Sequence, residues 1–313
     1  MQNIAVKRRD FLTCSALALL GITSRARPAS GEPIIDIHQH LGYSGRPDDV
    51  LLAHQRAIGA TTTILLPAGR SANRPSTHNG LANGLQAEAL GNDACDRFVQ
   101  GHRRAFRFGA NDVPDLENAA PEIERYLKRG AVVIAEQKFG VECDSAEMQK
   151  IYALAAAYDV PVLMHWQFKM YNYGFERFHT MLEKFQRVKF LGHAQTWWGN
   201  VDRNYPDQTV MYPKGPVTSG GLTDRYLADY PNMYGDLSAG SGLNALTRDE
   251  NFARDFVTRH QDKLLFGSDC NDRDGGGPSC LGAQIIAAIR RLSTARQIER
   301  KLLYENAKKV FRL

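Results

Sequence analysis

Residues 34–40 read Ile34-Ile35-Asp36-Ile37-His38-Gln39-His40. An isoleucine-rich run of this length predicts a strand buried on both faces. Residues two apart on a strand face the same side, so His38 and His40 project together from its end, toward the inside of the sheet. The same grammar repeats down the chain. Strands are expected at Ile34–His38, Thr62–Leu66, Phe106–Ala110, Ala131–Gln137, Val162–His165, Val188–Gly192, Met233–Leu237 and Leu264–Ser268. Helical periodicity fills the gaps at Asp48–Ile58, Leu116–Arg129, Ser145–Tyr158, Glu176–Phe185, Arg248–His260, Leu281–Leu292 and Ala295–Phe311. In Ser145–Tyr158, Met148, Ile151, Tyr152, Leu154 and Ala155 recur at three- and four-residue spacing, opposite Glu147, Gln149 and Lys150. Strands alternating with helices imply parallel βαβ units. Eight of them favour closure into an α/β (β/α)8 barrel, for which 313 residues in one domain is an ordinary length.

The longest connections, Pro67–Gly84, Ala194–Gly221 and Cys270–Ser279, all follow strands. In a barrel such loops gather at the C-terminal face, where active sites form. Strand ends on that face carry the chemistry: His38 and His40 on the first, His165 on the fifth, His193 on the sixth and Asp269 on the eighth. One histidine ending one strand is more often a satisfied core residue than a ligand. Four histidines and an aspartate at matching ends of four strands form a nitrogen and oxygen set suited to Zn²⁺, Mn²⁺ or Fe²⁺.

The chain resembles the amidohydrolase superfamily of metal-dependent hydrolases, in its amidohydrolase-2 branch. The resemblance rests on Asp36-Ile-His38-Gln-His40, Leu163-Met-His165, Gly192-His193-Ala194, Gly267-Ser268-Asp269 and Tyr304-Glu-Asn306-Ala-Lys-Lys-Val-Phe311, and spans Ile34 to Leu313. It implies a distorted TIM barrel and one or two divalent ions, with zinc first and manganese or iron as alternatives. It further implies His38, His40 and His165 as ligands, and Asp269 as ligand and proton acceptor. On the fourth strand, Ile134-Ala-Glu136-Gln-Lys138 offers both side chains that members of this superfamily use there. Glu136 is taken as the ligand, because it needs no modification. Lys138 is taken as a partner for a substrate anion or for Glu136; a plain ion pair is the simpler alternative.

Other residues are weaker candidates. Arg70, with Arg74 and His78 in the same loop, could meet a substrate carboxylate. Trp197 and Trp198 follow the sixth strand; one is expected to wall the substrate and the other to plug the loop onto the barrel. His54, His179 and His260 fall in helical stretches, where histidines are ordinarily solvated or packed.

The first thirty residues read as an address. Lys7-Arg8-Arg9-Asp10-Phe11-Leu12, the apolar run Cys14–Ile22 and the small Ala29 and Ser30 form a signal peptide, resembling the bacterial twin-arginine type. A division at 1–29 (signal) and 30–313 (TIM-barrel enzyme domain) follows, with an exported destination, periplasmic or secreted. Residues 1–29 hold five basic residues and one acidic one, so the remainder carries 34 basic and 33 acidic residues, a net +1 instead of +5. That near-neutrality gives no electrostatic case for nucleic acid or for an anionic membrane as partner. The expected partner is a small molecule, and a homo-oligomer is compatible with the sequence. Cys95, Cys143, Cys270 and Cys280 show no CxxC spacing.

The expected reaction is hydrolysis of a small amide, lactone or ester by a metal-activated water. Asp269 serves as general base, and His193 holds a second ion or polarises the carbonyl. Non-oxidative decarboxylation of an unsaturated or aromatic acid is the alternative, and a non-catalytic metal or carbohydrate binder a more distant one.

Overall fold

Eight parallel strands form the centre of the molecule: β1 (Ile35–Gln39), β2 (Thr62–Leu65), β3 (Phe106–Phe108), β4 (Ile134–Gln137), β5 (Val162–His165), β6 (Phe190–His193), β7 (Met233–Asp236) and β8 (Leu264–Leu265). The computed structural model describes residues 31–67 and 89–313, with the two-residue strands Pro75–Ser76 and Gly80–Leu81 between them. One ladder runs β1-β2-β3 and another β4 through β8, each strand parallel to its neighbour. Two junctions join the ladders into a ring. A parallel bridge pairs Ala110 with Ile134, and Ile37 N–H donates to Phe266 C=O at 3.2 Å. The strands are those expected from the sequence. The eighth is shorter, because Ser268 N–H is taken by the Asp36 carboxylate at 2.8 Å rather than by a ladder partner.

The inside of the barrel is apolar below and polar above. Ile35, Ile37, Ile64, Leu66, Val133, Ala135, Leu163, Leu191 and Leu265 form one buried cluster, and Ala307, Val310 and Phe311 of the C-terminal helix Asn306–Phe311 pack against it. Strand phase explains the change of character. In β5, β6 and β7 the inward residues alternate regularly, so Leu163 precedes His165, Leu191 precedes His193, and Tyr234 precedes Asp236. In β1 the ladder slips between Asp36 and Gln39, and in β4 between Ile134 and Gln137. These irregularities let Ile35 and Ile37 fill the lower barrel while His38 and His40 turn into its upper end. Val133 and Ala135 stand in the same relation to Glu136.

Helices cover the outside: α1 (Asp48–Ala57), α2 (Asn92–His102), α3 (Ala119–Leu127), α4 (Ala146–Tyr158), α5 (His179–Lys184), α6 (Ala194–Gly199), α7 (Leu222–Asp229), α8 (Ala239–Thr247), α9 (Glu250–Arg259) and α10 (Leu281–Leu292). Helix α4 starts where Ser145 Oγ accepts the Met148 N–H, an ordinary N-cap. The helices α2, α6, α7 and α8 were not expected. Three of the four span nine residues or fewer, too few turns for a repeating three- and four-residue spacing to stand out in the sequence. No described helix is long and apolar enough to cross a membrane.

Candidate metal centre

The polar upper end of the barrel brings five side chains from four strand ends to one point. His38 and His40 come from β1, Glu136 from β4, His193 from β6, and Asp269 from the segment after β8. His38, His40 and His193 are at most 1 % exposed, and Glu136 is 3 % exposed. Asp269 opens a little further, at 13 % of its side chain. Its backbone is held in place by its N–H, which donates to His38 C=O at 2.7 Å. Its positive φ of 42° turns the carboxylate back over the barrel mouth.

Each histidine is fixed in one tautomer by what its outer nitrogen touches. His38 Nδ1–H donates to Asp236 Oδ2 at 2.7 Å, and His40 Nδ1–H donates to Leu66 C=O at 2.7 Å. His193 Nδ1–H faces Ser238 Oγ at 3.0 Å, while that hydroxyl donates to Asp236 Oδ2 at 2.9 Å. Spending the Nδ1 proton on a backbone or carboxylate acceptor leaves the Nε2 lone pair for a cation. All three Nε2 atoms face Glu136 and Asp269. His38 and His40 lie 3.7 Å from Glu136 Oε2, and His193 lies 3.8 Å from Glu136 Oε1. The Asp269 oxygens stand 3.9, 3.5 and 3.7 Å from His38, His40 and His193.

These spacings are too long for hydrogen bonds. Among the described residues, His38 Nε2, His40 Nε2 and Asp269 Oδ1 are buried without a hydrogen-bond partner. Orphaned lone pairs converging at such spacing are costly unless a cation sits among them. Tetrahedral ligands about 2.1 Å from a divalent ion stand roughly 3.5 Å apart, so the donor set fits such an ion. Two overlapping groups, His38/Glu136/His193 and His38/His40/Asp269, each gather within 4.8 Å.

The electrostatics agree. Burial opposes charge on Glu136, but His165 and His38 hold its carboxyl well below the usual range. Burial likewise works against an ionised Asp269, and His38 and His40 overcome it and keep the carboxyl depressed. For His38, burial works against the cation, yet Asp269 and Asp236 raise its pKa well above 6.5. Burial, then His38, pushes His193 down to about 4.

His165 departs from the expected ligand set. Its Nδ1 lies 2.5 Å from Glu136 Oε1 and its Nε2 lies 3.2 Å from Gln167 Oε1, so it is turned onto Glu136 instead of into the gap. Trp197 and Trp198 require a correction: neither walls the substrate. Helix α6 folds back directly from β6, and both rings pack in the core between barrel and helices. Trp197 is fully buried over Gly192, and Trp198 Nε1–H donates to Asp236 C=O at 2.9 Å. Arg70, with Arg74 and His78, lies outside the described residues, as does the signal segment. Lys138 lines a cleft of about 300 Å³ that also exposes Tyr43, His165, His193, Tyr212, Asp269 and Asn271. Its Nζ stands 5.4 Å from the Tyr171 ring centre.

Three contributors were missed in the sequence. Asp236 ends β7 as its fellows end theirs, and that position was the available signal. Ser238 and Tyr43 gave none. The Asp269 charge, with burial, holds the Tyr43 phenol above its usual range, so it stays a donor at the rim.

No protein-family model and no curated protein matches the sequence. Solved structures do match in three dimensions. A TIM-barrel protein from Bordetella bronchiseptica aligns with a TM-score of 0.59 at 14 % identity, over 89 % of this chain and 98 % of its own. A probable 2-pyrone-4,6-dicarboxylic acid hydrolase from Acinetobacter baumannii, with citric acid bound, gives 0.57 at 14 % identity, over 90 % and 99 %. A dihydroxybenzoic acid decarboxylase from Polaromonas, with manganese and the inhibitor 2-nitroresorcinol bound, gives 0.54 at 15 % identity, over 90 % and 97 %. At these identities the likeness is one of fold, and the chain is an α/β (β/α)8 TIM barrel of a single domain.

Proposed function

We propose that the protein is a metal-dependent enzyme of the amidohydrolase-2 type that hydrolyses a small carboxylate-bearing lactone, ester or amide. The observation that carries this reading is the convergence of unpartnered His38 Nε2, His40 Nε2 and Asp269 Oδ1 on one point beneath an open cleft. His38, His40, Glu136, His193 and Asp269 would hold one or two divalent ions, with zinc or manganese the leading candidates. When bound, such an ion polarises a carbonyl and lowers the pKa of a coordinated water toward about 7.

The rest belongs to the chain. Asp269 is ionised and faces the cleft, so it can take the proton of the attacking water and return it to the leaving group. Lys138 supplies a cation on the wall for a substrate carboxylate. Tyr43, held protonated, donates a hydrogen bond beside Asp269.

Decarboxylation of an aromatic or unsaturated acid is the second reading. It is favoured by the decarboxylase among the structural neighbours and by Lys138, which would grip an acid equally well. One experiment separates the two. Metal-loaded protein is incubated with matched panels of lactones and carboxylic acids, while ring opening in ¹⁸O-water and carbon dioxide release are followed together. Label incorporation without carbon dioxide supports hydrolysis; carbon dioxide release without label replaces it with the lyase. We further propose that residues 1–29 direct export by the twin-arginine route, which would place the enzyme in the periplasm or outside the cell.

A further inference from the structure

Next to the centre described above, and sharing none of its side chains, lies a second group of metal-binding residues. His54 of α1, Cys270 after β8 and Cys280 at the start of α10 are each at most 1 % exposed. Their ligand atoms all lie within 4.8 Å of one another. The two sulfurs are 3.9 Å apart, and Cys280 Sγ is 3.4 Å from His54 Nε2. A tetrahedral zinc with Zn–S near 2.3 Å and Zn–N near 2.0–2.1 Å has S···S edges of about 3.8 Å and S···N edges of about 3.6 Å. The S···S edge and the Cys280–His54 edge match these within about 0.2 Å.

The tautomer of His54 follows from its neighbours. The Gln55 amide donates both its N–H groups, to Asp36 Oδ2 at 2.8 Å and to Thr63 Oγ1 at 2.7 Å. Its Oε1 must therefore be the atom that meets His54 Nδ1 at 2.9 Å, and Nδ1 must carry the proton. The Nε2 lone pair is then left pointing at the sulfurs, as in a metal-bound histidine oriented by its outer partner. Cys280 caps α10, and its Sγ accepts the Ala283 N–H at 3.4 Å, which fixes the sulfur at the helix start. On the other side, the Cys270 carbonyl is gripped by Arg46 Nη1 at 2.9 Å and Gln39 Nε2 at 3.1 Å.

We infer that His54, Cys270 and Cys280 form a second, thiolate-containing metal site for zinc, separate from the histidine–carboxylate centre. Binding converts two thiols and Zn²⁺ into a zinc dithiolate with release of two protons. With a neutral imidazole the product carries no net charge, which suits a buried position. A fourth position is left for water or a backbone oxygen. The ion would tie α1, α10 and the strand end after β8 together, immediately beside Asp269. It would therefore fix the base of the Cys270–Cys280 rim loop. This inference does not depend on the reaction performed at the other centre.

The test uses the full, reduced, metal-free chain titrated anaerobically with cobalt(II). Sulfur ligation gives intense thiolate-to-cobalt charge-transfer absorption, which a histidine–carboxylate centre cannot produce. The band should reach the intensity of one thiolate-bound cobalt per chain once both centres are filled, vanish in Cys270→Ser and Cys280→Ser, and persist in the His38→Asn/His40→Asn double variant. Zinc X-ray absorption on the wild-type chain needs no variant, and should show a sulfur shell at about 2.3 Å. Absence of both the band and the sulfur shell from folded wild-type protein overturns the site. So does a band that survives in both serine variants, or a Cys270–Cys280 disulfide that persists in the metal-loaded chain.

Discussion

Asp236 Oδ2 accepts the Nδ1 proton of His38 at 2.7 Å and lies 3.4 Å from Nδ1 of His193, so one fully buried carboxylate orients two imidazoles of the centre. Removing it frees both rings to turn and lets either nitrogen carry the proton. Asp236→Ala should therefore weaken metal affinity by about 10–100-fold, the usual effect of losing such an outer partner. Isothermal titration with zinc or manganese measures this. Unchanged affinity would show that the rings are positioned by packing alone.

Asp269 has two tasks, and substitution by Asn separates them. Asn keeps one ligand oxygen but cannot accept a proton. Asp269→Asn should retain at least one ion, held by the remaining donors, while kcat falls by about 10²–10⁴-fold, as for loss of a general base. Metal content and kcat are read on one preparation, with the substrate found by the panel above. Near-normal kcat with metal bound would remove Asp269 as the base.

Glu136 sits among the orphaned nitrogens and Lys138 on the cleft wall, so their variants should differ. Glu136→Gln should lower metal affinity at least about tenfold, judged against the effect of outer partners. Lys138→Ala should leave metal content intact and instead raise KM for an anionic substrate. Elemental analysis and steady-state kinetics decide. A carboxylated Lys138 bridging two ions would reverse the assignment.

Metal binding should strengthen as pH rises, because the ion must displace the proton that His38 holds. In the metal-free centre Glu136 and Asp269 are already ionised near neutrality, and His193, at about 4, is already neutral. His38, raised well above 6.5, holds a proton that the ion must displace. The apparent Kd should therefore fall as pH rises from 6 toward the pKa of His38, then level off. A Kd that stays flat from pH 6 to 8 would contradict a protonated His38.

Export is tested at the paired arginines. Replacing Arg8 and Arg9 with lysine should strand the precursor in the cytoplasm, and cleavage in the native chain is expected between about Arg25 and Glu32. Cell fractionation with N-terminal sequencing reports both. Unimpaired export of the lysine variant would discard the twin-arginine assignment.

The sequence by itself determined the parallel barrel and the strand ends that bear His38, His40, His193 and Asp269. Both follow from local patterns, namely apolar runs of strand length and the fixed side a residue takes on a strand. It also marked Glu136 as a residue of interest, though only beside Lys138 on the same strand. Tertiary structure alone decided which nitrogen each histidine presents, because that depends on Asp236, Leu66 and Ser238, which are distant in sequence and contact the rings only after folding. It also put both Trp197 and Trp198 in the core, where the sequence reading has one of them on the cleft wall, since the direction in which α6 leaves β6 is set by packing against Gly192 and Gly235. His54, Cys270 and Cys280 show the limit most clearly. Residues 216 and 10 positions apart carry no shared spacing signal, and only ring closure of the barrel sets α1 against the segment that follows β8.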